Sequence, residues 1–125
     1  MAFVRFQDLV VYQLAEKRAD AVWDVVLTWN ILSRDTVGKQ LIRAADSIGA
    51  NIAEGCGRQS PVDNRRFVRI ARGSLHETQH WLRRSFRRNL LTAEQIAALH
   101  ITVEELAPRL NAYLKSIVPS GRKNQ

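Results

Sequence analysis

The sequence predicts an all-α chain folded as an up-down-up-down four-helix bundle, and three observations carry that expectation. Apolar residues recur at three- and four-residue spacing, the period of a buried helix face. Gly (6) and Pro (3) are scarce, and β-branched residues nowhere alternate with polar ones for long, as a half-buried strand requires. The 125 residues, 46% of them hydrophobic, supply one core and little more. One domain is therefore expected over residues 1–118. Residues 119–125, PSGRKNQ, are expected to be a basic, frayed tail.

Each element has its own signal. The first helix is expected from Asp8, as cap, to Trp29, on the spine Tyr12, Ala15, Ala19, Val22, Val26 and Trp29. NILSRD (30–35) reads as a loop. The second helix is expected from Thr36 to Cys56, with Val37, Leu41, Ala44, Ala45, Ile48 and Ile52 on its inner side. Gly55 and Gly57 read as its carboxyl cap. Ser60-Pro61 is a start signal, a hydroxyl cap followed by proline in the first turn. The third helix then runs to about Asn89, with Phe67, Ala71, Leu75, Thr78, Leu82 and Phe86 as its buried stripe. Thr92 to Gln95 is a capping box and opens the fourth helix. That helix repeats Ile96, Leu99, Val103, Leu106, Leu110, Tyr113 and Ile117, with Pro108 inside it.

Charge is unevenly placed. Residues 1–60 carry seven basic and seven acidic side chains, whereas residues 61–90 carry eight arginines against Asp63 and Glu77. On a helical wheel Arg65, Arg69, Arg72, His76, His80, Arg83 and Arg87 fall within an arc of about 80°. Same-helix acids are too few to neutralise it, so the expected partner is a polyanion, with nucleic-acid backbone foremost. The nucleic-acid-binding candidates are Arg65, Arg69, Arg72, Arg83 and Arg87. The alternative is an oligomeric scaffold that binds protein and uses this face between subunits. On the second helix Arg43, Asn51, Glu54 and Arg58 share a face and form, with Glu77, a structural or interface polar cluster.

HETQH (76–80) matches the H-E-x-x-H pattern of zinc hydrolases, in which two histidines one turn apart bind metal and the glutamate acts as base. Here both histidines lie within the arginine stripe, and Arg72 and Arg83 disfavour a dication. Neither metal nor cofactor is expected, and no catalytic residue is assigned. Cys56, the lone cysteine, reads as a small hydrophobe rather than a reactive thiol. The amino terminus lacks the apolar run of a signal peptide, and no stretch approaches the ~20 apolar residues of a membrane span. A cytoplasmic setting without membrane contact is expected.

The residues also resemble a known family. Phe6-Gln7-Asp8-Leu9-Val10-Val11-Tyr12-Gln13-Leu14-Ala15 is similar to the opening of the four-helix-bundle proteins encoded in bacterial 23S ribosomal RNA intervening sequences. Gly38 to Ala45 resembles the start of their second helix. Ser47-Ile48-Gly49-Ala50-Asn51-Ile52-Ala53-Glu54-Gly55-Cys56-Gly57-Arg58 resembles their most specific run, with Gly49 where proline is usual. Phe67 followed by Ala71-Arg72-Gly73-Ser74-Leu75-His76-Glu77 resembles a further motif, in which Glu77 is a signature position and the histidines are not. The resemblance spans about residues 6 to 117. It implies a bundle assembled as a ring-like homopentamer. The family includes a basic accessory protein that works with the reverse transcriptase of diversity-generating retroelements and binds nucleic acid. The partners so implied are further copies of the chain, nucleic acid, and a reverse transcriptase or other protein.

Overall fold

A computed structural model describes residues 4–118, with residues 101–103 as backbone only. Among the described residues there are four long helices and no strand. They are α1 (Val10–Val26), α2 (Lys39–Gly57), α3 (Pro61–Arg87) and α4 (Ala93–Ser116). A single 3₁₀ turn, Phe6–Asp8, precedes α1. The expected Val103 and the 119–125 tail lie outside the described residues.

The helices run alternately up and down, as their contacts require. Tyr12 packs over Gly49, and Val26 stands against Gly38, so α1 and α2 are antiparallel. Gly55 meets Asn64 and Phe67, while Arg43 reaches Glu77, which reverses α3 on α2. Arg65 reaches Leu114 and Leu82 shares a cleft with Ile96, so α4 is antiparallel to α3. Leu9 and Val10 share a cleft with Arg109 and Tyr113, and the four-membered ring closes with α4 beside α1. Apart from the closing α4–α1 contact, every neighbour in the ring is sequential, which short connections favour.

The core follows the expected seams closely. Ala15, Val22, Val26 and Trp29 are buried, as are Val37, Leu41, Ala44, Ala45, Ile48 and Ile52. Leu99, Leu106 and Leu110 are buried on α4, and Pro108 sits within that helix without ending it. Truncation of Leu41 or Ile48, both fully buried, costs about 2–5 kcal/mol at such sites. Arg18 is also inside, 8% exposed, one turn from Ala15 and Val22. Burial pulls its guanidinium below the ordinary arginine value, and Glu105 of α4 acts in the opposite direction.

Four local expectations are corrected. Asp8 does not cap α1: it belongs to the 3₁₀ turn, and Leu9, which lacks a capping side chain, holds the cap position. Residues 30–35 are not a loop. Asn30 Oδ1 accepts a hydrogen bond from Ser33 N at 3.0 Å, a helical turn follows at Ile31–Ser33, and a π-helical stretch, Arg34–Gly38, leads into α2. The wider π turn breaks the 3.6-residue period, so these residues carry no continuous apolar stripe. Gly55 and Gly57 do not cap α2. No glycine among the described residues has positive φ, and Gln59 takes the left-handed position with φ 59°. Gly55 is required for another reason: a methyl carbon there would lie 2.7 Å from Asn64 Oδ1 and 2.9 Å from Phe67 Cβ. On α3, finally, Val68 and Ser85 replace Phe67 and Phe86 in the buried stripe, alongside Ala71, Leu75, Thr78 and Leu82. The hydroxyls of Thr78 and Ser85 are satisfied by backbone carbonyls one turn back, at 2.8 and 2.7 Å.

Candidate nucleic-acid interface

The helix that carries the arginines is well delimited. Ser60 Oγ accepts from Asp63 N at 3.3 Å, with Pro61 in the first turn. At the other end Asn89, with φ 62°, provides the left-handed residue that a helix stop commonly needs and that asparagine tolerates. The next helix starts with the expected box, Thr92 Oγ1 accepting from Gln95 N at 3.0 Å and Gln95 Oε1 accepting from Thr92 N at 2.9 Å.

The arginine stripe is not uniform. Arg65 is half-buried, and its Nη1 donates to the carbonyls of Leu114 at 2.7 Å and Ile117 at 2.9 Å. These are carbonyls at the carboxyl end of α4, where a cation is favoured by the helix dipole; the Leu114 carbonyl also accepts from Ile117 N at 3.3 Å. Arg72 Nη1 donates to Asn111 Oδ1 at 3.0 Å. Arg69, Arg83 and Arg87 are exposed to solvent. Arg66 lies over the Phe67 ring at 4.7 Å, with Arg58 of α2 at 5.0 Å from the same ring. Among the described residues neither the seven α3 arginines nor Arg88, just past the helix, has a carboxylate within ion-pair distance; the pairs present involve Arg5, Arg43, Arg58 and His100. Contacts across to α4 cannot be read from spacing within α3, so the sequence contains no signal that separates Arg65 and Arg72 from the rest.

The polar cluster of α2 divides in two. Arg43 Nη2 donates to Glu77 Oε2 at 3.4 Å and to Gln40 Oε1 at 2.6 Å. Trp81 Nε1 donates to the same Glu77 oxygen at 3.1 Å. Arg58 pairs with Glu54 at 3.2 Å, one turn back. Between them Asn51 donates to the Ser47 carbonyl at 2.8 Å and so joins neither group. The cluster therefore ties α2 to α3 through Arg43 and Glu77, while Glu54 and Arg58 form a surface pair.

HETQH follows from this placement. Glu77 is engaged by Arg43 and Trp81, and the His80 ring stands edge-on to Trp81 with centroids 4.7 Å apart. His76 is exposed. Among the described residues no three His, Cys, Asp or Glu side chains converge as a metal-binding group. Cys56 donates to the Val4 carbonyl at 3.3 Å, and burial pushes its thiol above the ordinary value, the reverse of an activated nucleophile. Among the described residues no helix is long and apolar enough to cross a membrane.

Three tryptophans, Trp23, Trp29 and Trp81, are more than one small core must hold and favour an interface; the aliphatic residues that join Trp23 at the surface carry no such signal in the sequence. Trp23, Leu27, Ile31 and Leu32 are 50–74% exposed, around the α1–α2 connection, and Trp23 and Leu27 border a surface cleft with Arg34, Lys39 and Arg43. The three tryptophans have separate fates: Trp29 is buried, Trp81 is half-buried and bonded to Glu77, and Trp23 is exposed.

The chain is similar to a solved structure of closely matching extent. The crystal structure at 1.70 Å of a protein with unknown function from the S23 ribosomal protein family of Bacteroides thetaiotaomicron VPI-5482 aligns with a TM-score of 0.75 and 26% identity. The alignment covers 85% of this chain and 99% of that one. No functionally curated protein matches. The family model described as 23S rRNA-intervening sequence protein matches residues 7–112, which takes in α1 to α3 and most of α4. On that match the chain belongs to the 23S rRNA-intervening sequence protein family.

Proposed function

We propose that this protein is a non-enzymatic, oligomeric bundle that binds nucleic-acid backbone through α3, in a cytoplasmic setting. One observation carries the reading: seven arginines on one helix, and Arg88 at its carboxyl cap, lack a carboxylate partner among the described residues. Guanidinium is a planar, permanently charged donor suited to phosphate, and successive turns repeat it every ~5.4 Å. Arg69, Arg83 and Arg87 are the direct contacts, with Arg65 and Arg72 holding α4 beneath them. Phosphate contact without base reading makes binding tolerant of sequence and steeply salt-dependent. The test is fluorescence anisotropy on labelled RNA and DNA at ~50 and ~200 mM salt. Wild-type chain binds at the lower salt, and Arg69→Gln/Arg83→Gln/Arg87→Gln weakens all sequences alike. Absence of binding at ~50 mM salt overturns the reading.

The exposed Trp23–Leu27–Ile31–Leu32 surface supports the oligomeric part, for which a ring-like pentamer is our reading. Repetition around a ring would raise avidity over one weak subunit contact. Light scattering at micromolar concentration distinguishes the pentamer from a 14.3 kDa monomer, and Trp23→Asp should lower the mass. The same surface also favours a second reading, in which the assembly is a scaffold for a protein such as a reverse transcriptase. Retention of the pentamer without polyanion binding would select it.

A further inference from the structure

Phe86 occupies an unusual place. It lies in the last full turn of α3, yet Ser85 takes the core position and leaves the Phe86 ring 45% exposed. Exposure of that much aromatic surface forgoes hydrophobic stabilisation. The ring borders a surface cleft of about 330 Å³ between α3 and α4, together with Gln79, Leu82, Arg83, Ile96 and His100. Gln79, Leu82, Arg83 and Phe86 follow one another at i, i+3, i+4 and i+7, so they share one face of α3. Arg83 lies within the cleft and Arg87 follows the ring in sequence; both are exposed. The carboxylate of Glu104, one turn along α4, accepts a hydrogen bond from His100 Nε2 at 2.9 Å.

An exposed aromatic ring that shares a cleft with Arg83, beside amide and imidazole edges, suits a base extruded from a strand. Aromatic stacking needs an unpaired base, whereas phosphate contact alone accepts single and double strands. We infer that Phe86 stacks a nucleobase of a single-stranded segment, with Arg83 and Arg87 on the adjoining phosphates. The cleft then makes α3 prefer single strands over duplex. This rests on the reading of α3 as a nucleic-acid face and adds the class of ligand that it selects.

The test uses the full chain with two probes in parallel, a fluorescein-labelled oligo-dT of about 16 nucleotides, at the upper end of the span that single-strand sites cover, and a duplex of the same length. Wild type should bind the single strand more tightly. Phe86→Leu, which keeps apolar bulk and loses the π face, should weaken the single strand about tenfold, as loss of one stacked base does. It should leave the duplex affinity and both salt slopes unchanged. Phe86→Tyr should restore the single-strand preference. Equal losses on both probes, or a fall in oligomer mass with either variant, would assign Phe86 to a subunit contact and overturn the inference. No change in Phe86→Leu while wild type binds both probes overturns it and leaves the arginine reading standing. Failure of wild type to bind either probe at low salt overturns both.

Discussion

The two ends of α3 are both rich in arginine, with Arg65, Arg66, Arg69 and Arg72 at one end and Arg83, Arg84, Arg87 and the capping Arg88 at the other, and the molecule uses them differently. At the first end Arg65 holds the carboxyl end of α4 and Arg72 holds Asn111. At the second end, among the described residues, no such bond to another helix ties Arg83, Arg87 or Arg88, all exposed, and Arg83 shares a cleft with an aromatic ring. The same residue type thus ties the fold through Arg65 and Arg72 at one end and leaves charge available at the other. What separates them is the neighbour: the first end faces carbonyls at the end of α4, and the second faces the start of that helix.

The contrast can be broken most strongly at Arg65. Arg65→Ala removes two charge-assisted bonds in a half-buried site and should lower stability by about 2 kcal/mol, read as an earlier denaturation midpoint. A loss below ~0.5 kcal/mol, the usual range of surface substitutions, would place Arg65 with the free arginines. Arg83→Gln/Arg87→Gln is the converse. It should leave the midpoint within ~0.5 kcal/mol of wild type and flatten the salt dependence of binding by about two. Marked destabilisation would show that the second end is also committed to the fold.

Gly73, between the two ends, has nothing within 4 Å of an added methyl carbon. Gly73→Ala should therefore stabilise α3 by about 0.8–1 kcal/mol. Destabilisation, or a drop in oligomer mass, would reveal that another subunit covers this face. The smallest effect is expected away from α3. Burial, and then the Asp20 carboxylate, push the Asp46 carboxyl above its ordinary value. A raised folded value means that the native state holds the proton more tightly than the unfolded chain. Stability from this group is thus fully present below the unfolded value and is lost as pH rises through the folded one. Asp46→Asn should raise the melting temperature slightly at pH 7 and lose that advantage at pH 3. A lower melting temperature at pH 7 would show that a cation, such as an arginine of a second copy, meets the Asp20–Asp46 pair.

Much of the bundle was legible before any coordinates. The inner faces of α2 and α4, the Ser60 cap and the Thr92–Gln95 box are local features, set by spacing within one helix or by hydrogen bonds spanning three residues. The Asn30 cap was equally local but was masked by the π turn after it, which takes the apolar residues out of period. For the candidate site, the arc of arginines was legible and its division was not.

Sequence by itself determined the four helices, their alternating order, their apolar seams and the concentration of arginine on the third. These depend on which side chains share a face, and helical geometry decides that locally. Tertiary structure decided which arginines are spent on α4, why Gly55 must lack a side chain, and why Ser85 rather than Phe86 enters the core. Each of these depends on the rotation of one helix against another and on a separation of a few ångströms between residues far apart in the chain. No periodicity within a single helix encodes those quantities, because they are set by the joint packing of all four.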